Sequence, residues 1–472
     1  MKRPSNFLFR SFTTLLIASF LAFGITKLLA QHNLILGFQT KVFNPLEQFE
    51  PELPLEVSVE PTPQPLMAEV EEPAIEEPEL VVEEVAVEEQ IIAEQRELEA
   101  KVERLPGGLT DYSEGGQALA KWHQALSESS ARSVRVAFLG DSFIEGDILV
   151  GVLRNSLQSR YGGKGVGYVP LTSKTARYRS TIKHRFSGKW VSRTSLHPKA
   201  GDRFTLAEKF DYTTGPAEAS YEMSDGPSNL ASVDRVTLLY QTDSLSSYFV
   251  SINGEEQQEL FADHDESRPD RLFSQVLSQG DVTRVSIAFP EQFKGRLYGL
   301  YFDGDTGIAV DNYSLRGSSG LQLAQVSRML TNQLSEVRSY DLIILSYGLN
   351  VASGELDDKD DYGWYYAGMK KSLQYLQELY PNAVFVIMSI SDRATIDEGE
   401  VVSLPAVSKI LMHQERLARN NDCLFWNTYE VMQEKGGIEG YVERRWAAKD
   451  YTHMSYAGGR ELANELLEDL LP

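Results

Sequence analysis

Val134-Arg-Val-Ala-Phe-Leu139, running into Gly140-Asp141-Ser142, is the stretch that decides how this chain folds. Its apolar and β-branched residues predict a buried strand, and the Gly-Asp-Ser that ends it predicts a turn. A helix follows from Ile148 to Tyr161, with Leu149, Val152, Leu153 and Leu157 on one face. The same grammar recurs downstream. Asp341 to Tyr347 predicts a second buried strand ahead of a helix around Tyr366 to Leu379. Val384 to Ile390 predicts a third strand ahead of a helix from Val407 to Asn420. A short fourth, Cys423 to Trp426, precedes a closing helix from Ser455 to Leu471. Continuous apolar strands alternating with amphipathic helices predict an α/β fold with a parallel sheet covered on both faces.

The stretch from about Arg177 to Asp305 breaks that rhythm. Val236 to Tyr240, Tyr248 to Ile252, Val282 to Phe289 and Arg296 to Phe302 alternate with a period of two, and Asn253-Gly254 is a hairpin signal. This segment predicts an all-β insert, a sandwich, inside the α/β domain. Upstream, Gln117, Ala118, Leu119, Trp122 and Leu126 predict a short helix, and the folded part is expected to begin near Tyr112.

The N-terminal region is of a different kind. Lys2, Arg3 and Arg10 precede an apolar run from Phe12 to Ile25, extended past Lys27 by Leu28-Leu29-Ala30. It reads as a signal anchor or a cleaved signal peptide. The basic residues stay cytoplasmic in either case and the remainder is exported. The expected location is the periplasmic face of the inner membrane, or the periplasm itself if the segment is cleaved. From Leu46 to Arg104 nineteen glutamates face three basic residues, so this stretch carries most of the formal net charge of −23. Its Pro61-Thr-Pro-Gln-Pro65 core predicts a semi-rigid spacer, and Glu79 to Arg104 reads equally as a charged helix or as more spacer. The expected division is 1–10 cytoplasmic stub, 11–30 membrane segment, 31–111 spacer, 112–176 and 306–472 the two parts of the α/β domain, and 177–305 the β insert.

Acidity of this degree opposes nucleic-acid binding. Cys423 is the only cysteine, so no intrachain disulfide forms and redox compartment is not readable. His123, His184, His197 and His264 show no metal-ligand spacing, and His413 falls on a predicted helix without a partner. Asp303-Gly-Asp-Thr-Gly307 resembles the start of a calcium loop, but the twelfth position is Ser314 rather than Glu, and a turn is expected.

Three short strings carry the chemistry. Ser142 stands where a strand meets a turn, a position that exposes a nucleophile. Asp450 and His453, three residues apart before the last helix, supply a base and the carboxylate that orients it. Asn350, in Gly348-Leu349-Asn350 after the second strand, is placed to offer an amide to a developing oxyanion. Gly317, lacking a side chain, can bring a backbone N–H to the same place, and the Ser142 N–H completes the set. These are the parts of a serine ester hydrolase, and they require no metal or organic cofactor. Each string alone also reads blandly: Gly-Asp-Ser as an ordinary turn, Gly-Leu-Asn as a strand end, Ser455 as a helix cap behind a loop.

With its Ser142, Gly317, Asn350 and His453 blocks in that order, the chain resembles the SGNH (GDSL-type) hydrolase superfamily. The resemblance implies a three-layer α/β/α, flavodoxin-like domain. A β insert between the first two blocks further resembles exported peptidoglycan O-acetylesterases, as do Gly140-Asp-Ser-Phe-Ile-Glu-Gly-Asp147, Arg160-Tyr-Gly-Gly-Lys-Gly-Val-Gly-Tyr168 and Val310-Asp-Asn-Tyr-Ser-Leu-Arg-Gly317. It implies acetyl removal from the muramic-acid 6-hydroxyl of cell-wall glycan, and an insert like a carbohydrate-binding module. Phe143 stands where some relatives carry His. Two other outcomes fit the same residues: transfer of the acetyl group to a sugar hydroxyl, or a non-catalytic wall-binding module. Trp364 and Tyr365, beyond the acidic run Asp357 to Asp361, are candidate substrate-stacking residues, or aromatics docking the next helix. Trp190 and Tyr178 of the insert read either as glycan contacts or as core.

Overall fold

The computed structural model describes residues 108–224, 228–268 and 270–472. The expected membrane segment and nearly all of the spacer lie outside these residues; among the described ones no helix is long and apolar enough to cross a membrane.

The central sheet has six strands in the spatial order Leu109–Asp111, Leu424–Trp426, Val384–Met388, Leu342–Ser346, Ser133–Gly140 and Gly307–Ser314. Five run parallel; Leu109–Asp111 is added antiparallel against Leu424–Trp426, so the fold begins slightly before Tyr112. Counted along the chain, the parallel strands lie second, first, third, fourth, fifth across the sheet, the flavodoxin-like order. Its strands Leu342–Ser346 and Val384–Met388 are buried at every position, as expected of a sheet with both faces covered.

Two apolar layers cover it. On one face Ala118–Ser127, Val150–Tyr161 and Tyr456–Leu470 bury Trp122, Leu126, Leu153, Leu157, Leu462 and Leu466. On the other, Arg328–Val337, Gly363–Leu379 and Pro405–Arg419 bury Leu330, Leu334, Leu373, Leu376, Ile410 and Leu417. The first of these three helices and the strand Gly307–Ser314 escaped the sequence pattern, the strand because Asp311 and Asn312 interrupt its apolar run.

The insert is antiparallel, as expected, but it is one sheet rather than a sandwich of two. Its path runs Gln258–Ala262, Ser246–Ile252, Arg284–Phe289, Lys209–Met223, Arg296–Asp303, Val233–Gln241, Phe273–Val282. Ile182–Thr194 pairs alongside Lys209–Met223, and Gly167–Val169 joins Arg296–Asp303. The register slips at Gly188/Trp190 and at Leu297/Gly299, irregularities that increase bend and twist. The two ends of the path then meet. Gln275 accepts from the hydroxyls of Tyr240 (3.0 Å) and Tyr248 (2.7 Å) and donates to the Phe261 carbonyl (3.2 Å). A rolled sheet of this kind approaches a barrel. Trp190 packs edge-on against Phe289 beside its core, while Tyr178 is half exposed.

Insert and body are not separate globules. Phe204, Leu206, Phe210, Tyr298 and Tyr301 of the insert share one apolar cluster with Leu139, Ile343 and Tyr347 of the body. A buried ion group crosses the same boundary: Arg338 donates to Asp303 on the insert's strand and to both oxygens of Asp311 on the central sheet.

Candidate active site

Register aligns Gly140 with Ser346 on one side and with Ser314 on the other, so the turns holding Ser142, Asn350 and Gly317 leave the same carboxyl edge of the sheet. Ser142 and Asn350 follow the first and third strands, which flank the point where the strand order reverses and where open α/β sheets form their binding crevice. Gly140 is required there for close packing: a Cβ on it would stand 2.8 Å from the Ser346 carbonyl oxygen.

Asp141, 1% exposed, pins the nucleophile turn from beneath. One carboxylate oxygen accepts from the Phe143 N–H at 2.8 Å and the other from the Asn350 amide at 2.8 Å. Burial pushes its pKa up to about 6, against the Phe143 N–H and the nearby His453, which favour the charged form. Tyr456, three residues after His453, reaches the Gly146 carbonyl at 3.4 Å, so the His453 loop approaches the loop that follows Ser142. Among the described residues no hydrogen bond joins Ser142 to His453. A nucleophile–base contact of this kind is often long before substrate binds.

His453 is held by its neighbour. Its Nδ1 lies 2.8 Å from Asp450 Oδ2, while Asp450 Oδ1 accepts from the N–H groups of Thr452 and His453, both at 3.0 Å. Tyr451 takes a left-handed φ of 52° to close this tight loop. Partial burial works against ionisation of Asp450, but the His453 side-chain and backbone hydrogen bonds prevail and hold its pKa down at about 2. Directly after, Ser455 caps the final helix by accepting from Gly458 N–H. The cap fixes the loop and does not compete with its chemistry.

Gly317 is exposed and has φ 86°, a conformation that favours glycine. Among the described residues neither its N–H nor that of Ser142 has an acceptor in the protein. Arg316 and Glu145 pair at 2.6 Å and tie the Gly317 turn to the loop after Ser142. Asn350 is placed differently from the expected open donor. Its two amide hydrogens go to Asp141 Oδ2 and to the Ser318 carbonyl (3.0 Å), so it joins the turns, and donation to an oxyanion requires sharing one of those bonds.

Behind the nucleophile loop, Asp147 is wholly buried with φ 62° and accepts from Arg154, Arg179, Thr181 and Asn312. Burial alone would raise its pKa; the two guanidinium groups outweigh it and keep the carboxyl well below the usual range. These partners were not legible in the sequence, beyond Asp147 lying in the same motif as Ser142.

Of the stacking candidates, Tyr365 is corrected by the structure: it is 1% exposed in the core and offers no face to a sugar. Trp364 is half exposed and donates to Asp360 Oδ2 at 2.9 Å. The acidic run is pinned by Lys409, which donates to the Asp358 and Asp360 carbonyls. Asp303 is taken up by Arg338 and Asp305 by Arg235. His184 stacks on Tyr221 and contacts the Leu171 carbonyl, and His413 contacts that of Asp361; both are buried.

No family model matches the sequence, and no curated protein matches it. Solved structures do. A peptidoglycan O-acetylesterase aligns at 25% identity over 77% of this chain and 98% of its own, with a TM-score of 0.62. A family two carbohydrate esterase from Cellvibrio japonicus (11% identity, 64% and 96% coverage, TM-score 0.24) and a salicylyl-acyltransferase from a tetracycline biosynthetic pathway (14%, 64% and 96%, 0.28) are too distant to bear on the site. In fold and in the order of its Ser, Gly, Asn and His blocks the chain resembles an SGNH hydrolase, and among solved structures it is similar to the peptidoglycan O-acetylesterase.

Proposed function

We propose that this chain is an exported serine esterase that removes O-acetyl groups from cell-wall glycan, tethered or secreted through its N-terminal segment. The observation that carries the reading is the Asp450–His453 pair at 2.8 Å, on a loop that approaches the one after Ser142, together with the Ser142 and Gly317 N–H groups, which have no acceptor among the described residues.

The chemistry follows from those positions. Ser142 Oγ attacks the acetyl carbonyl and its proton passes to His453 Nε2, while Asp450 holds Nδ1–H and stabilises the imidazolium. The carbonyl oxygen becomes an oxyanion facing the Ser142 and Gly317 N–H groups, with Asn350 beside them. Collapse breaks the ester bond, and His453 returns the proton to the departing sugar oxygen. Water then attacks acetyl-Ser142 with His453 as base, and acetate leaves as Ser142 recovers its proton. The 98% coverage of the peptidoglycan O-acetylesterase supports a wall-glycan substrate.

The test is acetate release from O-acetylated peptidoglycan by the full chain, beside Ser142→Ala and a small aryl acetate. Release by the wild type and loss in the variant are expected. Turnover of the aryl ester alone would move the reading to another acetyl ester or to transfer. Turnover of neither would overturn it.

A further inference from the structure

We propose that Glu208, a residue of the β insert, is a positioning residue for the oxyanion turn of the α/β body; the inference rests on the esterase reading above. Glu208 ends the connection between Ile182–Thr194 and Lys209–Met223 and is 1% exposed. One carboxylate oxygen accepts from Ser195 Oγ at 2.8 Å within the same connection. The other crosses to the body and accepts from Ser318 Oγ at 3.0 Å, one residue after Gly317. Its backbone carbonyl accepts from the Ser195 N–H at 2.9 Å, which locks the base of the loop.

From Ser318 the chain of bonds continues into the site. The Ser318 carbonyl accepts from Asn350, and Asn350 donates to Asp141 beneath Ser142. Leu196, adjacent to Ser195, also approaches the turn, its Cδ1 3.4 Å from where a Cβ on Gly317 would stand. The insert thus touches the Gly317-Ser318 turn with a carboxylate and with an apolar side chain.

Two features say that Glu208 is not there for stability. A buried carboxylate is costly without a cation, and its hydrogen-bond partners here are two hydroxyls. Its φ is 53°, which non-glycine residues rarely adopt. Burial accordingly lifts its pKa to about 7, against the two serine hydrogen bonds. What the arrangement achieves is direction: Ser318 Oγ has one fixed acceptor, and the Gly317 N–H is carried with it. A shift of about 1 Å in a donor can cost on the order of a hundredfold in rate. The loss should fall on kcat, because the oxyanion exists only along the reaction path.

The test uses the full chain, a small aryl acetate, and rates per active site counted by end-point labelling with a fluorophosphonate. Wild type against Ser142→Ala decides the esterase reading by itself; a wild type without turnover would take this proposal down with it. Glu208→Leu is expected to lower kcat roughly ten- to a hundredfold with KM within about twofold. Glu208→Gln, which still offers an acceptor to Ser318, should recover most of that loss. Ser318→Ala should match Glu208→Leu, and the double variant should be no slower than either single one. If Glu208→Leu does not fold, Ser318→Ala with Glu208→Gln decides. A kcat within about threefold of wild type in the folded variants would overturn the proposal and leave Glu208 a structural residue.

Discussion

Asn350 Nδ2 stands 2.8 Å from Asp141 Oδ2, so the amide expected at an oxyanion is bonded to the residue that precedes the nucleophile. With its second hydrogen on the Ser318 carbonyl, Asn350 ties together the turns of three neighbouring strands. It bridges the turns that carry Ser142 and Gly317, and in the proposed reaction it would share one of these hydrogens with the oxyanion.

Asn350→Ala is therefore expected to do more than remove one donor. Losing an oxyanion-hole donor commonly costs about a hundred- to a thousandfold in kcat, and here two ties go with it. Steady-state kinetics on an aryl acetate should show the fall in kcat with little change in KM. A fall in kcat/KM arising only from KM would mean that Asn350 binds substrate and nothing more.

Asp141 makes stability depend on pH in a defined direction. Its folded pKa of about 6 lies above the ordinary carboxylate value, so the folded chain holds the proton more tightly than the unfolded one. Stability from this group is present below pH 4 and is lost as pH rises through 6, a change on the order of 3 kcal/mol. Asp141→Asn lacks that dependence. The stability of wild type relative to the variant should therefore shrink between pH 4 and pH 8, read as a few degrees in paired thermal melts. A constant difference would contradict the assignment.

Gly317→Ala places a Cβ at φ 86°, where an L residue costs roughly 1–2 kcal/mol. Leu196 at 3.4 Å leaves room for the methyl, so the backbone and not a clash is the source of strain. If the turn relaxes toward negative φ, its N–H swings away, and kcat should fall by about tenfold or more while the chain stays folded. Unchanged kcat with a lowered melting temperature would remove Gly317 from the oxyanion site.

Arg338 offers a prediction about the joint between insert and body. It is 4% exposed and neutralises Asp303 and Asp311 across the boundary. Arg338→Met strands the buried Asp311 and the partly buried Asp303 and is expected to destabilise by about 3–5 kcal/mol. Denaturant unfolding should show it as a lower midpoint. Two separate transitions in the variant would mean that Arg338 is what makes insert and body unfold together.

Much of this molecule was legible in the order of its residues. Leu342 to Leu345 and Val384 to Met388 announced their strands because a sheet covered on both faces needs unbroken apolar runs, and Val134 to Leu139 did so with Arg135 as its one interruption. Ser142 and Asn350 stand just past the ends of such strands, and the Asp450–His453 pair just before the last helix, which is where the residue order alone puts them. The rolled insert was not, because its curvature comes from bulges near Gly188 and Gly299, which periodicity does not report.

The sequence by itself determined the alternation of strand and helix, the order of the Ser, Gly, Asn and His blocks, and the local Asp450–His453 contact, all of which depend on residues near one another in the chain. Only the tertiary structure decided that Glu208 would meet Ser318 across 110 positions and Asn350 would meet Asp141 across 209. Apolar spacing tells which face of an element is buried, but a buried polar group takes whichever partner the packed chain brings within 3 Å. That choice is made by the whole fold at once.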